Sequence, residues 1–255
     1  MNTAEYLESL VIADFEPIAG GVFEAAEALE STVLPPAAPA VVDGGSVISF
    51  VAGISAQERR DVLYSVQLAQ RGASAAFHRF NQTPEWYAKY SEILSQVGWV
   101  GERLAFKEHR QGSGHLEMDK AALEILLAAA TGQQLDILTK SFDALRKLSD
   151  GDKPLTLFQY NALAQASGNF QLGAVQKGAG KDGPLAMGLG GFYFHADKQE
   201  GRILVFSWGG KSTILWAAVE KLTLNSDLYA KHREIVEAKL GLQADDYLSA
   251  LRLAP

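Results

Sequence analysis

The stretch "GGFYFHADKQEGRILVFSWGGKST", Gly190 to Thr213, ends on Gly-Lys-Ser-Thr, the tail of a phosphate-binding loop. Its reading separates a nucleotide-binding α/β protein from an antiparallel sheet. A Walker A loop needs a glycine five positions before the glycine of Gly-Lys-Ser. Counting back from Gly210 gives Val205. A phosphate cradle also wants a helix N-terminus directly after the lysine, whereas "STILWAAV" opens with β-prone residues. Gly209-Gly210 is better read as a tight turn between two strands, because glycine supplies the positive φ of a hairpin. "GLGG" at 188–191 fails the dinucleotide fingerprint as well, since its third glycine would fall at Tyr193. Glycines inside a strand mark a bulge or a close backbone approach.

Working outward, "GNFQLGAVQKG" alternates Phe170, Leu172 and Ala174. "PLAMGLGGFYFHAD" and "GRILVFSW" are aromatic and aliphatic runs bounded by Gly and Asp. "STILWAAVEKLTLN" starts as a strand, with a helical ending left open. Turn signals between such runs predict an antiparallel meander. "SDLYAKHREIVEAKLG" reads as a helix capped by Ser226 or Asp227 and stopped by Gly241, and "QADDYLSALRLAP" as a closing helix.

The N-terminal half is helical by its periodicity. Ser55 and Glu58 have the spacing of a capping box before the stripe Val62, Val66, Ala69. "TPEWYAKYSEILSQVG" places Thr83 as cap, Pro84 at the first helical position and Gly98 as the stop. "WVGERLAFKEH" (99–109) alternates and reads as a strand, and helices are expected near 119–130 and 133–148. Residues 4–32 read as helix, interrupted at Pro17 and Gly20-Gly21. The expected organisation is an N-terminal helical arm over 1–34, a Pro/Ala/Gly linker over 35–46 and one domain over 47–255. Helices, then strands, then helices make an α+β fold, with the antiparallel sheet in the C-terminal half and helices packed on it.

Composition narrows the function classes. The chain has 255 residues, 47% hydrophobic and 21% charged, as in ordinary globular proteins. A net charge of −7 and the lack of a basic cluster argue against nucleic acid. No cysteine is present, which removes disulfides, thiolate nucleophiles and Cys-ligated zinc. The acidic N-terminus lacks the features of a secretory signal. The expectation is a protein cytoplasmic as synthesised, with export by a route that needs no classical signal peptide left open.

Catalytic and metal motifs are sparse. Of the five histidines, none pairs at the spacing of a helical zinc site, although His109 and His115 flank one loop. No Gly-x-Ser-x-Gly occurs. Asp150/Asp152 and Asp245/Asp246 lack a calcium-loop pattern and read as solvated loop charges. No metal and no cofactor are expected. The catalytic candidates are His195, Lys211 and Ser212, at the ends of neighbouring strands. Phe192, Phe194, Trp208 and Trp216 are the candidate ligand-binding residues. The run "FYF" sets aromatics on both faces of one strand, so it needs a cover on each side: a helix layer, a lined cavity or a partner.

The landmarks "SFVAGISAQERRDVLYSVQLAQ", "EWYAKYSEILSQVGWV", "GNFQLGAV", "MGLGGFYF", "FSW" and "LNSDLYAKHREIVEAKLG" follow one another across about 200 residues. In that order they resemble the Erwinia virulence factor-like superfamily of bacterial and fungal proteins. The resemblance implies an α+β domain without an assigned catalytic centre, made by microbes that meet animal or insect hosts. It implies a role in persistence, toxicity or membrane association. It also implies an acylated cysteine, which this cysteine-free chain does not possess. No functional residue carries over. The expected function is a non-enzymatic virulence- or toxin-like protein that binds a partner, an apolar ligand or a membrane surface, with lipid or a host membrane as the candidate partner. Two alternatives stay open: a small-molecule enzyme with dispersed site residues, and a self-assembling module such as a homodimer through a sheet edge.

Overall fold

The computed structural model describes residues 2–13, 40–101, 104–109, 116–148, 152–164, 167–180, 183–195, 207–208, 214–241 and 252–253. In chain order these form α1 (Thr3–Ser9), β1 (Ala40–Asp43), β2 (Ser46–Phe50), α2 (Ala56–Ala76), α3 (Thr83–Gln96), β3 (Trp99–Val100) and β4 (Lys107–His109). There follow β5 (Leu116–Glu117), α4 (Met118–Leu126), α5 (Gly132–Lys147), α6 (Lys153–Ala162), β6 (Leu163–Ala164), β7 (Ser167–Lys177) and β8 (Leu185–His195). β9 (Ser207–Trp208), β10 (Ile214–Leu224), α7 (Ser226–Leu240) and β11 (Arg252–Leu253) complete the order. The fold is α+β.

The sheet runs β11-β1-β2-β7-β8-β10-β3, with β4 on β10 and β6 on β7. Its centre is the meander β7-β8-β10, three strands of 11 residues in unbroken antiparallel register. The hairpin β1-β2 joins it through a parallel pairing of β2 with β7, Ser46 opposite Gln171.

Alternation along these strands separates two cores. Phe170, Leu172, Ala174, Phe192, Phe194, Leu215 and Ala217 face α4, α5 and α6. Val175, Met187, Leu189, Leu222 and Leu224 face the layer of α2, α3 and α7. Both faces of "FYF" are therefore used, as a strand with aromatics at successive positions requires. Caps read from sequence hold the helices. Ser55 and Glu58 form a reciprocal capping box, and Gly98 and Gly241 take the positive φ that ends α3 and α7. Gln134, paired with Thr131 in a second capping box, donates to the carbonyls of Ala174 and Ala186, fastening α5 to β7 and β8. A bidentate pair, Arg233 to Asp61 at 2.9 and 2.7 Å, joins α7 to α2.

Several expectations are corrected. Residues 40–43 of the expected linker are a sheet strand, because Val41-Val42 and Val47-Ile48 bury their β-branched side chains across a turn at Gly44. The first helix ends at Ser9, where Leu10 turns extended, and residues 11–13 carry no helix; residues 14–39 lie outside the described residues. Gln82, not Thr83, is the N-cap of α3, and the Thr83 hydroxyl donates to the carbonyl of Arg79. Asn225 caps α7. The strand expected over 99–109 is two short strands, β3 and β4, both paired to β10. "ILWAAVEKLTL" is strand throughout, since each residue pairs with β8 and that pairing overrides the local helix preference of Ala-Ala-Val-Glu-Lys. β9 pairs with β5 in a second small sheet, and the turn read at Gly209-Gly210 lies outside the described residues. Near the C-terminus, Arg252-Leu253 pair with β1 as an edge strand where a helix was expected. No described helix is long and apolar enough to cross a membrane.

Candidate functional site

On the α2/α3 face, the upper halves of β7, β8 and β10 carry Ser167, Asn169 and Gln171; Gly191, Tyr193 and His195; and Trp216. The aliphatic core under the helices gives way here to rings and amides. Tyr193 and Trp216, directly opposite in register, stack with centroids 4.9 Å apart and planes 8° apart. Phe106 continues the strip at 5.1 Å from Tyr193, and Tyr87 of α3 lies 4.6 Å beyond it. His195 meets Trp216 edge-on at 5.9 Å. Phe106, Tyr193 and Trp216 are half-buried and His195 is exposed. Gly191 makes the crossing possible, because a Cβ there would stand 2.8 Å from the Tyr87 ring.

Beneath the strip lies a polar clamp. Arg79 leaves the α2–α3 connection and donates to Gln171 Oε1 at 2.9 Å, to the Asn169 carbonyl at 3.2 Å and to Gln70 Oε1 at 3.3 Å. Gln171 also accepts from Ser46 at 2.9 Å and donates to the Tyr87 hydroxyl at 2.7 Å. Tyr87 in turn donates to Asn169 Oδ1 at 2.7 Å. Asn169 returns an amide bond to the Arg79 carbonyl at 2.8 Å. Burial pushes the Tyr87 hydroxyl well above the usual phenol range, so it acts as a neutral hydrogen-bonding group. Asn169 and Gln171 are fully buried and their polar atoms are paired, as burial of amides demands.

The sequence candidates divide. Trp216 and His195 belong to the strip. Phe192 and Phe194 do not: they point to the opposite core, where Phe192 stacks on Phe170 at 5.1 Å, because strand alternation sends them away from Tyr193. Trp208 sits on β9, opposite Leu116. Lys211 and Ser212 lie outside the described residues. His195 has a partner that spacing did not reveal: Ser167 Oγ lies 2.7 Å from its Nδ1. His109 is exposed on β4, and His115 lies outside the described residues. Among the described residues no group of three or more His, Asp or Glu is placed to hold a metal ion. Arg79 and Phe106 were missed. Arg79 sits in the unpatterned loop "HRFNQ", but the polar series Ser167, Asn169, Gln171 on one face of a strand was a readable signal of a buried network.

No family model matches the chain, and no curated protein matches it. Two solved structures are similar to it. A delta-endotoxin shares 12% identity over 85% of this chain and 96% of its own, with a TM-score of 0.42. The Evf virulence factor shares 12% identity over 84% of this chain and 83% of its own, with a TM-score of 0.36. The second gives the resemblance read from the sequence landmarks a structural counterpart, a weak one.

Proposed function

We propose that the chain is a non-catalytic, toxin-like protein that docks on a lipid surface through the strip Phe106-Tyr193-Trp216. One observation carries this reading: two half-buried amphipathic rings are stacked on the same sheet face as a paired polar network, with Asn169 of that network opposite Tyr193. Tyr and Trp favour the headgroup level of a bilayer, where an apolar body and a polar tip are both satisfied. The net charge of −7 makes anionic lipid unfavourable, so a zwitterionic surface is the expected target.

Co-sedimentation with phosphatidylcholine vesicles tests it. Trp216→Ser, which exchanges a half-buried ring for a small polar group, is expected to weaken binding about tenfold or more, the equivalent of one aromatic's burial. Leu127→Ser, at an exposed apolar side chain after α4, serves as the control and is expected to leave binding unchanged. Absence of wild-type binding, or equal binding by Trp216→Ser, removes the reading.

The enzyme alternative has its own observation, the Ser167–His195 contact at 2.7 Å, a nucleophile within reach of a base. A fluorophosphonate probe that labels Ser167, with labelling lost in His195→Ala, would favour it over docking. No labelling is the result expected here.

A further inference from the structure

Alternation along β1 sends Ala40 and Val42 to the α4–α6 side, and Val41 and Asp43 toward the helical layer of α2 and α3. Asp43 is 2% exposed. The groups around it come from three elements: Gln67, Gln70 and Arg71 from α2, Arg79 from the α2–α3 connection, and Tyr90 from α3. α2 grips this turn by its main chain. Gln70 Nε2 donates to the Asp43 carbonyl at 2.9 Å, and Gln70 Oε1 accepts from the Gly45 amide at 3.2 Å. The carboxyl itself is poorly served. Its Oδ2 has no hydrogen-bond partner among the described residues, and neither have the Tyr90 hydroxyl and the two polar atoms of the Gln67 amide, which lies close by. The two nearby guanidiniums are committed to other acceptors: Arg71 to the carbonyls of Ala13 and Leu240, Arg79 to Gln70, Asn169 and Gln171.

A buried carboxylate in such a seam is tolerated as the neutral acid and resisted as the anion. We propose that Asp43 is a proton-operated latch: protonated, it lets α2 seat on the β1-β2 hairpin, and ionised, it loosens that seam. Burial pushes its carboxyl up to about 7, against the Gln67 amide and the fields of Arg71 and Arg79, which pull it down. Burial also holds Tyr90 neutral, with Tyr87, Asp43 and Glu220 acting in the same direction on it.

The sign follows from linkage. The unfolded carboxyl ionises near 3.8 and the folded one near 7, so folding takes up a proton between those values. Asp43 gives its full stability below the unfolded value, and that contribution is gone once the pH has risen through 7. A gap of about three pH units corresponds to about a thousandfold fall in the folding constant between pH 4 and pH 8 from this one group. The latch is independent of lipid docking, and its test needs no membrane.

Urea midpoints measured from pH 5 to 8.5 on the wild type and on Asp43→Asn decide it. The wild type is expected to lose stability from pH 5 until the pH has passed about 7 and to level off above it. Asp43→Asn is expected to flatten the profile and to be the more stable protein at pH 8. Parallel profiles overturn the proposal. If Asp43→Asn does not fold, carbon-13 carboxyl NMR on the wild type decides instead: an Asp43 titration midpoint near neutrality supports the latch, and one near 4 overturns it. Faster amide exchange confined to α2 and β1 at pH 8, after correction for intrinsic rates, is the expected local signature.

Discussion

Arg79→Met is expected to destabilise the protein by about 2–4 kcal/mol, measured as a fall in the urea midpoint without a change of slope. The guanidinium serves three acceptors, Gln171 Oε1, the Asn169 carbonyl and Gln70 Oε1, and its centre also lies 4.8 Å over the Trp86 ring. Methionine keeps the stem and much of the packing, so the loss isolates the polar connection. Asn169 and Gln171 are fully buried, so the Arg79 bonds lost there cannot be replaced by water; among the described residues Gln171 Oε1 keeps only Ser46 as donor and Gln70 Oε1 only the Gly45 amide. Lysine is expected to restore less than half of the loss, because one ammonium cannot fork between β7 and α2 as the planar guanidinium does. The same change removes a positive field from Asp43, so the neutral form of that acid should persist to higher pH in Arg79→Met. If Arg79→Met is as stable as the wild type, the clamp contributes nothing to the fold.

What was legible in the sequence was mostly local. The Ser55/Glu58 box, the stops at Gly98 and Gly241 and the alternation of Phe170, Leu172 and Ala174 each state their geometry within a few residues, and each is present in the structure. The same alternation, followed one step further, would have divided "FYF" correctly. Tyr193 belongs with Asn169 and Gln171, while Phe192 and Phe194 belong with Phe170. What was not legible depends on pairings distant in sequence. The Ser46–Gln171 bond closes 125 residues of chain through a parallel strand pair. No turn residue announces such a pair, because a parallel partner needs no hairpin. The strand Ala40–Asp43 was hidden by its neighbours: prolines at 35, 36 and 39 made a linker of a segment whose Val-Val-Asp-Gly-Gly-Ser-Val-Ile pattern is that of a hairpin. Half of the site was visible as aromatic residues and half was invisible as an arginine in a loop. The chemistry of the clamp lies in geometry that single positions do not encode.

Gly168→Ala is expected to be the most damaging single-methyl change on β7, at about 2–3 kcal/mol. A Cβ at this position would stand 2.1 Å from Cε1 and 2.4 Å from Cζ of Phe194, the residue directly opposite on β8. Phe194 is fully buried and has Leu215 as its other cross-strand neighbour, so its ring has little room to withdraw. Backbone torsion is not the cause, since Gly168 is not among the described glycines with positive φ, whereas Gly53 is. Gly53→Ala therefore makes a control of the opposite kind: open space around the Cβ but φ at 92°, with an expected loss of about 1 kcal/mol from backbone strain alone. A double-mutant cycle separates the two mechanisms. Phe194→Leu by itself should cost about 1 kcal/mol through lost packing, yet combined with Gly168→Ala it should recover part of the damage, because the overlapping ring edge is gone. Strict additivity of the two changes would mean that glycine is needed at 168 for some reason other than the ring that crosses it, and that the tight apposition of β7 and β8 beside the Ser167–His195 pair is not set by side-chain volume.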